Sequence, residues 1–338
     1  QGMVIIGAHD DDDDDTDGGN EGGAAAGVGT TSADAAAADG EASGVVGAAA
    51  EAMEVALVAD ECVAALNALV DLKADELQAA LASIDAEAPV PLRKRAVALL
   101  SHTSPEKAVP VLGSLLSNAS TGEKQAACEA LGNLKHEAST KLLRTWMQRL
   151  RDGEVNNAVS LDLLEAADKH KALKPLVIAH EQSSKKAGAL GSYEVCLDGG
   201  NANAGRKVFH DFEATRCTRC HKINNTGGNA GPALNGVGKR LTPEQLLAAL
   251  ITPSASIAEG FSTTTVELTD ASVVAGVITK DQDGEITIVD INGKEARIPL
   301  SKIRSRSANK ASAMPAMGES LSKRQLRDLI AFLKKQKK

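Results

Sequence analysis

From residue 51 to about 188, apolar positions recur every three or four residues, as in Leu66, Leu69 and Val70 and again in Leu77, Ala80, Leu81 and Ile84. That spacing lays one apolar stripe along a helix, so the stretch is expected to be helical. It also repeats itself. Arg95-Ala96-Val97-Ala98-Leu99-Leu100 aligns with Ala126-Ala127-Cys128-Glu129-Ala130-Leu131 at an offset of about 31 residues, and the same offset sets Val111-Leu112 over Leu142-Leu143 and Leu115 over Trp146. A third copy begins near Ala158-Val159-Ser160-Leu161, with Lys174-Pro175-Leu176-Val177 opening its second helix. Helix pairs of this length cannot bury their apolar faces alone and must stack on one another, which predicts an α-solenoid over 51–190. An irregular helical bundle is the alternative.

Two glycine-rich breaks, Ala187-Gly188-Ala189-Leu190-Gly191-Ser192 and Gly199-Gly200-Asn201-Ala202-Asn203-Ala204-Gly205, end this pattern and mark a boundary, after which 199–338 reads as a second domain. Within it, from 260 to 306, the period falls to two. Thr263–Leu268, Ser272–Ile278, Glu285–Val289 and Glu295–Pro299 alternate polar with apolar residues, and Asp283-Gly284 and Asn292-Gly293 supply hairpin turns. A small inserted β-barrel is expected there. Residues 1–50 lack the large apolar side chains that would offset the entropy of ordering them, so they read as an acidic linker rich in Gly and Ala. Asp13, Asp15 and Asp17 alternate as in a calcium loop, but Ala24 stands where the bidentate Glu would be, and a solvated acidic run is expected.

Composition narrows the functional classes. Aromatic residues make up only 2 % of the 338, so the core is built from aliphatic side chains on close-packed helices and the fold class is mainly α. A formal net charge of −8 argues against a nucleic-acid binder. No run of apolar residues is long enough to span a bilayer. The start, Gln1-Gly2-Met3-Val4-Ile5-Ile6-Gly7, has no basic segment and too short an apolar stretch for a signal peptide, so a processed form or fragment is expected. Basic residues gather in Lys302-Ile303-Arg304-Ser305-Arg306 and at Lys334–Lys338, where solvation of a helix end is the default expectation. His102, His136, His170 and His180 read as solvated or capping residues, and Cys62 and Cys128 as buried thiols acting as small hydrophobes.

Cys217-Thr218-Arg219-Cys220-His221 is the motif that carries chemistry. Two thiols one turn apart reach the two vinyl groups on one porphyrin edge, and the next residue offers an imidazole to the iron. A zinc knuckle would need a second ligand pair, yet no Cys or His follows His221. A thioredoxin-like dithiol would want a βαβ setting rather than glycine-rich surroundings.

Together with Gly205-Arg206-Lys207-Val208-Phe209, Gly231-Pro232-Ala233-Leu234, Met314-Pro315 and Leu326–Lys335, this motif makes the C-terminal domain resemble class I cytochrome c. The resemblance implies one covalently attached haem c, held through Cys217 and Cys220 and ligated by His221. It further implies that the Pro232 carbonyl accepts a hydrogen bond from the imidazole, that Met314 is the sixth ligand with Met317 as its rival, and that Leu329 and Phe332 face the haem. Four extra residues, His210–Glu213, lie between Phe209 and the motif and depart from the family pattern. The helical segment resembles HEAT or armadillo repeats, with a short period. The whole combination is similar to planctomycete-type haem-binding CxxCH multidomain proteins.

The resemblance implies an extracytoplasmic electron-transfer protein, on its own or as the cytochrome part of a larger dehydrogenase, which passes single electrons from a dehydrogenase, in cis or in trans, to a cytochrome or oxidase acceptor. The repeats would offer a surface to a protein partner. Two other classes compete: a haem enzyme or gas or redox sensor with a labile sixth ligand, and a helical-repeat scaffold with an accessory haem.

Overall fold

The computed structural model describes residues 60–72, 76–84, 88–103, 105–213 and 215–338. The linker over 1–50, with Asp13, Asp15 and Asp17, lies outside the described residues, as does the side chain of His102.

Among the described residues eight helices come first: α1 (residues 60–71), α2 (Leu77–Ala82), α3 (Val90–Thr103), α4 (Pro105–Asn118), α5 (Thr121–Asn133), α6 (Glu137–Arg151), α7 (Asn157–Asp168) and α8 (Lys174–Lys186). From α3 onward they form three successive pairs, and the offset seen in sequence has a physical meaning. Ala96 and Ala127 are both buried, as are Leu112 with Leu143 and Leu115 with Trp146, so equivalent positions face the shared core. Polar ties lock neighbouring pairs. Arg93 on α3 donates to Glu123 on α5 at 2.7 Å, and Gln125 on α5 donates to the Ala158 carbonyl of α7 at 2.8 Å.

His136 caps α6, its Nδ1 accepting from the Ala138 N–H at 3.3 Å. His170 departs from the solvated reading. It is buried between repeats, 2.8 Å from the Thr140 hydroxyl through Nδ1 and 2.9 Å from the Leu131 carbonyl through Nε2. Both ring nitrogens thereby replace the water they lose. Cys128 is fully buried, and desolvation pushes its thiol up to about 12.

A 3₁₀ turn, Gly191–Cys196, joins the solenoid to the second domain and touches α7, α8 and the last two helices. Those later elements are α9 (Ala202–Asp211), a 3₁₀ turn at Cys217–Arg219, the hairpin β1 (Lys222–Ile223) and β2 (Thr226–Gly227), α10 (Val237–Arg240), α11 (Pro243–Ile251), five longer strands and α12 (Lys323–Lys334). α9 crosses α12 at Gly205, where any Cβ would strike the Asp328 carbonyl, so only glycine permits this approach. One hydrophobic cluster runs from Leu66 through the repeats to Leu333.

α12 is tied to α7 and α8 of the helical repeats by charge. Arg327 meets Asp162 of α7 at 2.6 Å with both side chains 3 % exposed. Arg324 reaches Asp162 at 3.0 Å and also pairs with Glu165, and Lys323 meets Glu181 of α8 at 2.7 Å.

The insertion is a sheet of β3 (Ser262–Leu268), β4 (Val273–Gln282), β5 (Glu285–Val289), β6 (Glu295–Pro299) and β7 (Ile303–Ser312). All pairings are antiparallel and the order is β6-β5-β4-β3-β7. The expected closed barrel is not found among the described residues. Closure needs β6 beside β7, whereas the 3₁₀ turn Leu300–Lys302 carries the chain past β6 to pair β7 with β3 at the opposite edge. Alternation gives the sheet its own small core of Val266, Ile286, Ile288 and Ile298. Of the basic run 302–306, Lys302 closes the 3₁₀ turn, while Arg304 and Arg306 lie on the edge strand β7. Arg304 pairs with Glu267 at 3.1 Å and Arg306 with Asp281 at 2.5 Å. Charge on an edge strand discourages pairing with another chain.

Candidate functional site

Arg216 adopts the left-handed conformation, with φ 42°, and turns the chain into the 3₁₀ turn Cys217–Arg219. The Cys217 carbonyl then accepts from the N–H groups of Cys220, at 3.2 Å, and His221, at 2.9 Å. Both thiols and the imidazole are thus displayed from a single turn. The thiols are free and half-buried. Burial raises the Cys217 pKa, partly offset by a 3.6 Å hydrogen bond to Thr215 Oγ1, and burial likewise raises that of Cys220.

The loop after the β1–β2 hairpin is lashed to this turn through the backbone. Gly228 donates to the Thr218 carbonyl at 2.9 Å, Gly231 to that of Cys220 at 2.8 Å and Leu234 to that of Lys222 at 2.8 Å. These bonds bring the Pro232 carbonyl 2.9 Å from His221 Nδ1. With the proton on Nδ1 donated to that carbonyl, Nε2 keeps its lone pair for a metal. Burial lowers the His221 pKa, against the opposing effect of the Pro232 hydrogen bond, and so favours the neutral ligating form. Gly231 lies on the ring itself. A Cβ there would come 2.7 Å from Cε1 and 2.8 Å from Nδ1, so the imidazole rests on bare backbone.

Leu329 and Phe332 are buried on the inner face of α12, and Phe332 stacks at a tilt on Phe209 with centroids 5.6 Å apart. Cys217 and Met314 pack at the edge of the same cluster. The two methionines differ. Met314 is half-buried in the loop before α12, its N–H donating to Ser312 Oγ at 3.1 Å. Met317 is 4 % exposed, and its N–H donates to the Leu250 carbonyl at 2.8 Å.

This donor set fits a covalently held haem: two free thiols on one turn, a neutral imidazole with one nitrogen open, and an apolar wall from α9 and α12. Among the described residues no group of three or more His, Cys, Asp and Glu side chains is placed to hold a metal ion, so the zinc reading finds no ligand set there. Nor is any described helix long and apolar enough to cross a membrane. Sequence marked Gly231 as part of Gly231-Pro232-Ala233-Leu234 without placing it under the imidazole, and for the left-handed Arg216 the signal was only the density of Gly and Asn around the motif, which marks turns without saying what they touch.

Comparison with protein families finds HEAT repeats over residues 74–163 and cytochrome c over residues 202–283. The second match spans α9, the CxxCH turn and β3–β4, and ends ahead of Met314 and α12. No curated protein matches the chain. The chain therefore carries a helical-repeat region followed by a cytochrome c domain, and that domain implies a covalently bound haem c and a role in electron transfer.

Proposed function

We propose that residues 199–338 form an extracytoplasmic monohaem cytochrome that relays single electrons from a dehydrogenase to a cytochrome or oxidase acceptor, joined to a solenoid over 51–190 as in planctomycete-type CxxCH proteins. Haem bound here supplies a one-electron couple between ferric and ferrous iron. Cys217 and Cys220 would hold the haem through thioether links. His221, oriented by the Pro232 carbonyl and braced by Gly231, would offer Nε2 to the iron. Met314, on a loop stiffened by Pro315, would supply the second iron ligand, and Leu329 and Phe332 would exclude water. The observation that carries the reading is the His221–Pro232 hydrogen bond at 2.9 Å beside two free thiols, because it fixes the tautomer a haem ligand needs. Burial of Met317 supports Met314 as the ligand, since Met317 already fills core space.

A redox titration of the purified holoprotein, followed in the visible spectrum, tests the relay. A single reversible one-electron transition, low-spin at both ends, is expected. A high-spin ferric spectrum with ready binding of peroxide or carbon monoxide would instead indicate a catalyst or sensor.

A further inference from the structure

Between the inserted sheet and the Gly228–Ala233 loop lies a cleft of about 580 Å³, within the size range that small molecules occupy. Its sheet wall is shaped by a bulge. Ile278 pairs with Ile288 and Lys280 with Thr287, which leaves Thr279 as an extra residue on β4. A bulge bends its strand and re-aims side chains, and here Val277 through Lys280 all border the cleft. Arg297, opposite Thr287 on β6, borders it too. Across the gap stand Lys222, next in sequence to His221, and Gly231, which lies on the imidazole. Cys217, Cys220, Met314, Leu329 and Phe332 do not border it.

The cleft's chemistry is one-sided. Lys222, Lys280 and Arg297 contribute three cations against the single carboxylate of Glu295, and none of the four forms an ion pair among the described residues. Thr287 is buried, and the Thr279 hydroxyl donates to its carbonyl at 3.3 Å. Phe261 and Val277 add apolar surface, while the Ile278 side chain packs into the small core on the other face of the sheet.

We propose that this cleft binds an organic carboxylate, its apolar body against Phe261 and Val277 and its carboxylate on Arg297 with Lys222 and Lys280. A guanidinium fork matches a carboxylate in two parallel hydrogen bonds. The apolar share of the wall favours a carbon-bearing anion over an inorganic one. Such a carboxylate has two sources, a free acid or the propionates of the haem that the domain implies. Binding of a free acid does not depend on what Cys217 and Cys220 carry.

Calorimetric titration of the full-length holoprotein with benzoate, neutral benzamide and inorganic phosphate, at matched ionic strength, tests the assignment. Arg297→Gln and Lys280→Gln replace exposed side chains and leave the cores intact. Saturable benzoate binding is expected, with no binding of benzamide and at least about tenfold weaker binding in Arg297→Gln, the effect of losing a charge-assisted hydrogen bond. If benzoate does not bind but Arg297→Gln alters the pH dependence of the reduction potential, the carboxylate is a propionate. If neither occurs, or if phosphate binds as tightly as benzoate, the proposal is overturned.

Discussion

At the scale of single residues, the two methionines near the last helix make separable contributions. Met314 sits half-buried on a loop, and its loss removes a thioether while sparing the core. Met317 is 4 % exposed and its loss leaves a cavity. Met314→Ala is expected to abolish the weak far-red absorption of sulfur-ligated ferric haem, lower the reduction potential and change stability little. Met317→Ala should keep that absorption and cost about 2–5 kcal/mol in denaturant unfolding, as for a buried Met cut to Ala. Loss of the band in Met317→Ala alone would move the sixth ligand three residues along the chain. Which methionine belongs to the core was not legible from residue type, because a flexible thioether suits both roles. CxxCH was legible because thiol, thiol and imidazole at that spacing serve few other purposes.

At the scale of elements, α5 rests on Glu123, whose side chain is only 3 % exposed. Its carboxylate accepts from the Ser120 N–H at 3.0 Å, from the Ser120 hydroxyl at 2.6 Å and from Arg93 on the preceding repeat. Burial pushes its pKa up, but the bonds from Ser120 and Arg93 prevail and hold it below the usual value. A carboxyl whose folded pKa is depressed adds stability that is fully present above its unfolded pKa, about 4.3, and is lost as pH falls through the folded value. Glu123→Gln should therefore cost about 1–3 kcal/mol at neutral pH by leaving Arg93 poorly matched, and should flatten the acid side of the stability profile. Urea unfolding followed by circular dichroism at several pH values reads both effects. An unchanged acid limb would contradict them.

The repeats were legible in sequence because apolar residues at helical spacing recur at a fixed offset. The fifth strand was not. Ile303–Ser312 is exposed along most of its length and reads Arg-Ser-Arg-Ser-Ala-Asn-Lys, so no alternation of apolar residues announces it. Closure into a barrel was expected from four alternating segments and their hairpin turns, which do not say which edge the last strand will join.

At the scale of the whole molecule, the solenoid and the cytochrome domain share one hydrophobic cluster and a buried ion pair, Asp162–Arg327. Sequence did not announce this junction, since Asp162 stands in Leu161-Asp162-Leu163-Leu164 as an ordinary polar interruption of a helix. Removing one partner of such a pair strands a charge in the interior and costs about 3–5 kcal/mol. In the parent protein, the far-ultraviolet dichroism of the repeats and the haem absorption should change together on unfolding. Asp162→Asn should separate them, whereas coincident curves with little loss of stability would show that the two regions are joined by apolar contact alone.

Covalent attachment of haem through Cys217 and Cys220 is read by intact mass spectrometry after acid-acetone extraction. The polypeptide should keep the added mass of one haem, and Cys217→Ala with Cys220→Ala should lose it. Release of the haem from the unmutated protein, leaving a chain at its bare mass, would contradict the claim.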